Sequence, residues 1–140
     1  MIEFGKKIDG VTYKNRPCSY GVAIRGGKIL IEIASNGWFL PGGGINKGET
    51  EEAGLIREFM EETGYEITKS KKIGEASEYV QIKGEYVMKV CSFFHVELGK
   101  QVSPTHPDGD THTAQWVPIN DAIQKVEREG YRWAIQQVVK

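Results

Sequence analysis

Glu58, Glu61 and Glu62 stand at i, i+3 and i+4, so a helix through them gathers three carboxylates on one patch. Like charges at that spacing repel by about 0.3 kcal/mol per pair at exposed sites, and Arg57 can offset only part of this. A hard divalent cation resolves the conflict. Mg²⁺ prefers oxygen ligands and keeps several waters, leaving places for phosphate oxygens. Three glutamates alone also describe a solvated helix face, which is common. The run Gly42-Gly43-Gly44 before the helix favours the chemical reading, because it permits backbone angles that aim amides or carbonyls toward the acids. Gly54, inside the helix, costs roughly 1 kcal/mol relative to alanine and leaves room for a segment or ligand beside the acids.

Gly43, five residues, Glu49, seven residues, then Arg57-Glu58-Phe59-Met60-Glu61-Glu62-Thr63-Gly64-Tyr65 resembles the Nudix box. Every fixed position of that pattern is met; Phe59 and Tyr65 are aromatics where it has bulky aliphatics. Leu40-Pro41-Gly42 and Trp116-Val117-Pro118 also resemble family usage. The resemblance implies an α+β fold, an α/β/α sandwich with a mixed sheet between helices. It implies Mg²⁺-dependent hydrolysis of a phosphoanhydride in a nucleoside diphosphate linked to another moiety, with Mn²⁺ as a substitute ion. Glu58, Glu61, Glu62 and Glu49 would hold the metals, with the Gly42 carbonyl as a backbone ligand. Arg57 would orient a catalytic glutamate, and the candidates for the base are Glu58 and Glu61 or Glu62. Some family members add a carboxylate just before a Trp-containing strand. Here that residue is the neutral Gln115, a poor ligand, and Asp108 and Asp110 are the candidates to substitute, which leaves the number of metals open. A non-catalytic Nudix-fold module that binds nucleotide or protein is the alternative, but it would be signalled by lost box acids, and none is lost.

These acids need a scaffold. The spacing predicts a helix over residues 50–63, stopped by Gly64. Its apolar arc holds Leu55, Phe59, Thr63, Ile56, Met60 and Ala53 and must be buried against a sheet. Residues 19–25 and 28–34 read as a hairpin turning at Gly26-Gly27. Residues 72–82 and 85–97 read as strands separated by Lys83-Gly84. A polar loop over 103–113 leads to a short strand at 115–119. Asn120 or Asp121 is expected to cap a closing segment that Gly130 divides, with a helix over 131–139.

The bulk properties fit one domain over residues 1–140, with its box at 43–65. At 39% hydrophobic and 26% charged residues and a net charge of −1, the chain reads as soluble and globular. That charge gives no footprint for extended nucleic acid or a membrane surface. The polar N-terminus and the absence of an apolar run point to a cytoplasmic protein, and a homodimer is compatible with these properties. Cys18 and Cys91 read as small buried thiols rather than a disulfide. His95 reads as a structural histidine on a strand. His106 and His112 share an acidic loop with Asp108 and Asp110, which could supply a ligand or substrate contact. Compact size resembles the small MutT-like bacterial members, so a nucleoside triphosphate or related derivative is the expected substrate. Phe39, Trp38, Tyr79 and Tyr86 are the stacking candidates, and Arg16 and Arg25 could meet phosphates.

Overall fold

The computed structural model describes residues 1–104 and 112–140. Its strands are β1 (Ile2–Phe4), β2 (Lys14–Val22), β3 (Ile24–Arg25), β4 (Lys28–Ala34), β5 (Gly37–Phe39), β6 (Gly42–Gly44), β7 (Tyr65–Ile82), β8 (Glu85–Gln101) and β9 (Thr113–Pro118). Helix α1 (Glu51–Thr63) follows β6, and α2 (Ile119–Lys125) and α3 (Glu129–Val139) close the chain. A mixed sheet runs β1-β7-β8-β2-β6, and a smaller antiparallel sheet has β4 paired with β3, β5 and β9.

Alternating side chains on these strands feed two cores. On β8, Phe93 joins Cys18, Tyr20, Tyr131 and Ile135, while Phe94 packs with Leu55 and Phe59 of α1. On β4, Ile29 and Ile31 join the first cluster and Leu30 the second. The period of two therefore places α1 on one side and α3 on the other. No helix among the described residues is long and apolar enough to cross a membrane.

Helix α1 has the expected ends: the Thr50 hydroxyl accepts from the Ala53 N–H at 3.0 Å, and Gly64 closes the helix at φ 73°. Its buried stripe is narrower than the sequence pattern suggests. Leu55, Phe59 and Thr63 are buried, whereas Ala53 is exposed and Ile56 is 47% exposed. Gly54 and this i, i+4, i+8 row are the buried positions of α1.

Other elements differ in extent. Residues 19–25 do not form one strand: the chain changes sheets after Val22, so only β3 makes the hairpin with β4. The glycine run pairs with β2 as a strand, and β7 starts at Tyr65 rather than at residue 72. Neither Asn120 nor Asp121 caps α2; Pro118 does so without a side-chain bond, because the helix begins directly at the end of β9. The closing segment breaks around Val126–Arg128, where the Glu127 N–H donates to the Trp38 carbonyl at 3.0 Å. Gly130 lies inside α3, where a Cβ would come within 3.2 Å of Glu78 and 3.3 Å of Phe93. That glycine serves packing, not helix breaking.

Candidate functional site

The strand β6 carries the site's backbone. Gly42 pairs with Tyr20 and Gly44 with Cys18, and the Ile45 N–H bonds the Pro17 carbonyl at 3.0 Å. This fixes the glycine run against β2 while α1 passes over it. Gly42 has φ 144°, and a Cβ there would overlap the Ser19 carbonyl. Gly43 has no such backbone conflict, but its Cβ would stand 2.9 Å from the Glu58 carboxylate. At Gly54 a Cβ would meet Ile45 at 3.3 Å and Glu49 at 3.4 Å, so its small size lets the loop before α1 lie close. Gly42→Ala should cost about 3 kcal/mol and lower the thermal midpoint by roughly 10 °C. Gly44→Ala is the control, since nothing lies within 4 Å of its Cβ. Equal midpoints for the two variants would refute the constraint.

Arg57 is the hub of the acids. Its Nε and Nη2 grip both oxygens of Glu49 at 2.8 and 3.0 Å, a bidentate pair. Its Nη1 donates to Glu58 at 3.0 Å and to Glu61 at 3.3 Å, and Nη2 also reaches the Gly44 carbonyl at 3.0 Å. The guanidinium holds the Glu49 carboxyl below its ordinary pKa, with help from the Asn46 N–H. Glu58 moves the other way: burial lifts its pKa, the charges of Glu61 and Glu49 add to this, and Arg57 opposes it.

Glu62 has different neighbours. It accepts from the Gly42 N–H at 2.8 Å and lies with Glu32 and His112, the three offering ligand atoms within 4.8 Å of one another. His112 Nδ1 is 3.6 Å from the Glu32 carboxylate. The box acids thus divide: Glu49, Glu58 and Glu61 gather on Arg57, and Glu62 bonds the Gly42 amide facing a cavity of about 230 Å³. Among the described residues, Glu32, Phe39, Lys89, His112 and Arg128 help line that cavity.

The proposed substrate contacts separate in the same way. Phe39 lines the cavity, parallel to His112 with ring centroids 6.3 Å apart. Tyr79 and Tyr86 do not; they cluster edge-on with Tyr13 near the β7–β8 turn. Trp38 is covered by Lys125. Arg25 is 5.3 Å from each of the Tyr65 and Trp116 rings, donates to the Leu98 carbonyl and does not line that cavity. Arg16 lies in register with Lys89 on the adjacent strand and is not a cavity residue. Gln115 is exposed, and His95 is an exposed strand residue instead of a structural one. Asp108, Asp110 and His106 lie outside the described residues. Cys18 and Cys91 are free, buried register partners, as expected. Hydrogen bonding from Cys91, with the charge of Lys89 assisting, lowers the Cys18 pKa to about 6.

Glu32, Lys89 and Arg128 do not stand out in the sequence pattern. A signal is present for the first two. Glu32 interrupts Ile29-Leu30-Ile31-Glu32-Ile33, and Lys89 shares the inward alternation of Val87, Cys91 and Phe93. Arg128 has none.

A family model described as NUDIX domain matches residues 19–137. A Mycobacterium tuberculosis protein provisionally named 8-oxo-dGTP diphosphatase 2 is 28% identical over 113 residues, covering 71% of this chain and 79% of that protein. A Brucella ovis RNA pyrophosphohydrolase is 27% identical over 147 residues, covering 84% of this chain and 82% of that protein. The match to a Caenorhabditis elegans protein provisionally named nudix hydrolase 1 is 29% identical over 94 residues. It covers 66% of this chain but only 24% of that relative's length. The fold is similar to a crystal structure of a MutT NUDIX hydrolase from Burkholderia pseudomallei. Its TM-score is 0.73 at 23% identity, covering 90% of this chain and 99% of that one.

Proposed function

Because the chain belongs to the Nudix family, we propose that residues 1–140 act as one enzyme that hydrolyses the phosphoanhydride bond of a nucleoside triphosphate or a related nucleoside diphosphate derivative. The reaction in this reading depends on Mg²⁺, with Mn²⁺ as a substitute ion. A cytoplasmic setting and a homodimer belong to the same reading. The observation that carries it is the convergence of Glu49, Glu58 and Glu61 on Arg57, with Glu62 bonded to the amide of the adjoining Gly42.

The donor set suits a hard cation, because it is made of carboxylate oxygens gathered around a single guanidinium. Glu49, Glu58, Glu61, Glu62 and the Gly42 backbone would hold it. When bound, such a cation supplies the positive charge that admits a polyanionic substrate and stabilises charge developing on the phosphoryl oxygens. The chain's own residues supply the rest. Glu58, raised in pKa by burial, accepts the proton of the attacking water. Arg57 holds Glu58 in place through its Nη1 donor at 3.0 Å. The water oxygen bonds to phosphorus as the bond from phosphorus to the leaving phosphate oxygen breaks. The net charge of −1 favours a small substrate over an extended nucleic acid. Relatives named RNA pyrophosphohydrolase and 8-oxo-dGTP diphosphatase support a reaction on a nucleotide pyrophosphate.

The test is a panel of nucleoside triphosphates, sugar nucleotides, dinucleoside polyphosphates and ADP-ribose, each incubated with protein and Mg²⁺. At least one nucleoside triphosphate should be cleaved to a nucleotide and phosphate or pyrophosphate. A folded protein that cleaves no member of the panel would overturn the reading.

A further inference from the structure

Resting on the hydrolase reading, we propose that Glu51 is a positioning residue. Held by Ser19, Ser92 and Lys72, it sets where α1 lies along the sheet, and so where Glu58 stands against Gly43.

One crosswise row of the mixed sheet runs beneath the start of α1. Gly43 on β6 is in register with Ser19 on β2, Ser19 with Ser92 on β8, and Ser92 with Glu75 on β7. Ser19 is 0% exposed and Ser92 is 2% exposed, so two hydroxyls lie where a helix packs on a sheet. A buried hydroxyl without a partner is costly, and here one residue satisfies both. Ser19 donates to the Glu51 backbone carbonyl at 2.9 Å, and Ser92 donates to the Glu51 carboxylate. Lys72 donates to the same carboxylate at 2.9 Å and also to Glu75. Three residues apart, Lys72 and Glu75 would face opposite sides of a regular strand. A bulge between Lys72 and Gly74, where two steps on β7 match one on β8, turns both to the side of Glu51.

The next row along the same face is apolar. Gly21 and Phe94 are register partners two residues beyond Ser19 and Ser92, and a Cβ at Gly21 would come within 2.6 Å of the Phe59 ring. Phe94 shares a core cluster with Leu55 and Phe59. Such burial holds α1 on the sheet, but it is non-directional and tolerates a small slide. The bonds to Glu51 are directional and do not. Glu58 follows Glu51 by two turns, about 10 Å along one face of the helix. Its carboxylate rests on Gly43, where a Cβ would stand 2.9 Å away. Ser19 thus touches the helix at Glu51 while its register partner Gly43 meets Glu58. A slide of α1 would carry Glu58, Glu61 and Glu62 away from Gly42 and Gly43, which stay paired with β2. Misplacing reacting groups by an ångström can cost about a hundredfold in rate.

The experiment measures kcat at saturating Mg²⁺ and nucleoside triphosphate, the thermal midpoint, and Mg²⁺ binding by calorimetry without nucleotide. The variants are Glu51→Ala, Ser92→Ala, the two combined, and Glu52→Ala. Glu52 is the neighbouring first-turn acid, exposed and bonded to Ser70 at 3.3 Å, so its loss leaves the serine row untouched. Glu51→Ala and Ser92→Ala should each lower kcat by about tenfold and weaken Mg²⁺ binding by about tenfold at temperatures well below the midpoint. The combined variant should lose no more than the worse of the two, because both remove one interaction. Glu52→Ala should behave as the parent. If Glu51→Ala does not fold, Ser92→Ala tests the same bond from the sheet. A lowered midpoint with parent kcat and Mg²⁺ affinity would make Glu51 structural only and overturn the proposal. Losses that multiply in the combined variant, or equal losses in Glu52→Ala, would overturn it too. If the parent cleaves no nucleotide but binds Mg²⁺, the reaction reading fails. The anchor then stands on tenfold weaker Mg²⁺ binding in the variants and falls on parent-like binding. If the parent neither cleaves nucleotide nor binds Mg²⁺, both fail.

Discussion

Glu62→Gln should lower turnover by about a thousandfold while leaving the protein folded, and Glu61→Gln should do the same. The two positions fail for related but separable reasons. Glu62 accepts the Gly42 N–H at 2.8 Å, and a glutamine carbonyl of nearly the same shape can keep that bond while losing the charge. Glu61 receives Arg57 at 3.3 Å, and a neutral amide there weakens both the ion pair and the cation site. Neither side chain belongs to the apolar core, so the thermal midpoint should move by only a few degrees, roughly the effect of 1 kcal/mol. Turnover at saturating Mg²⁺, measured beside thermal unfolding, separates the cases. Rates within a few-fold of the parent would remove these acids from the machinery.

Chelation should abolish activity outright, with Mg²⁺ restoring it. Glu49, Glu58 and Glu61 surround one guanidinium, and Glu62 adds a further carboxylate at Gly42, so the unligated site repels a polyphosphate. A cation that binds the folded chain alone also stabilises it. At a hundred times its dissociation constant the gain is about 2.7 kcal/mol, which raises the midpoint of a chain this size by roughly 9 °C. Full activity in excess chelator would end the metal-dependent reading. Loss of activity without any Mg²⁺-induced shift in the midpoint would place the metal on the substrate instead of on these acids.

Local periodicity makes the chemical helix legible in the sequence. Thr50, the Leu55–Phe59–Thr63 stripe and Gly64 specify α1 through contacts no more than a few residues apart. The strands are legible as segments but not as partners. Residues 19–25 look like half of a hairpin, yet β2 pairs with β8, more than sixty residues away, and leaves only β3 beside β4. Gly130 reads as a helix breaker because propensity is local. It lies in the first turn of α3, where a Cβ would crowd Glu78 at 3.2 Å and Phe93 at 3.3 Å, side chains from two other strands.

The same division runs through the site. The acids of residues 43–65 and their spacing are determined by sequence alone, because one helix and one short loop carry them all. Which way each acid turns is decided by tertiary structure: Arg57 draws in Glu49, Glu58 and Glu61, and the amide of β6 holds Glu62 beside the cavity. The cavity walls come from β4, β8 and the break before α3, bringing Glu32, Lys89 and Arg128 together. No sequence period links those three positions, since only the packing of two sheets and a closing helix makes them neighbours.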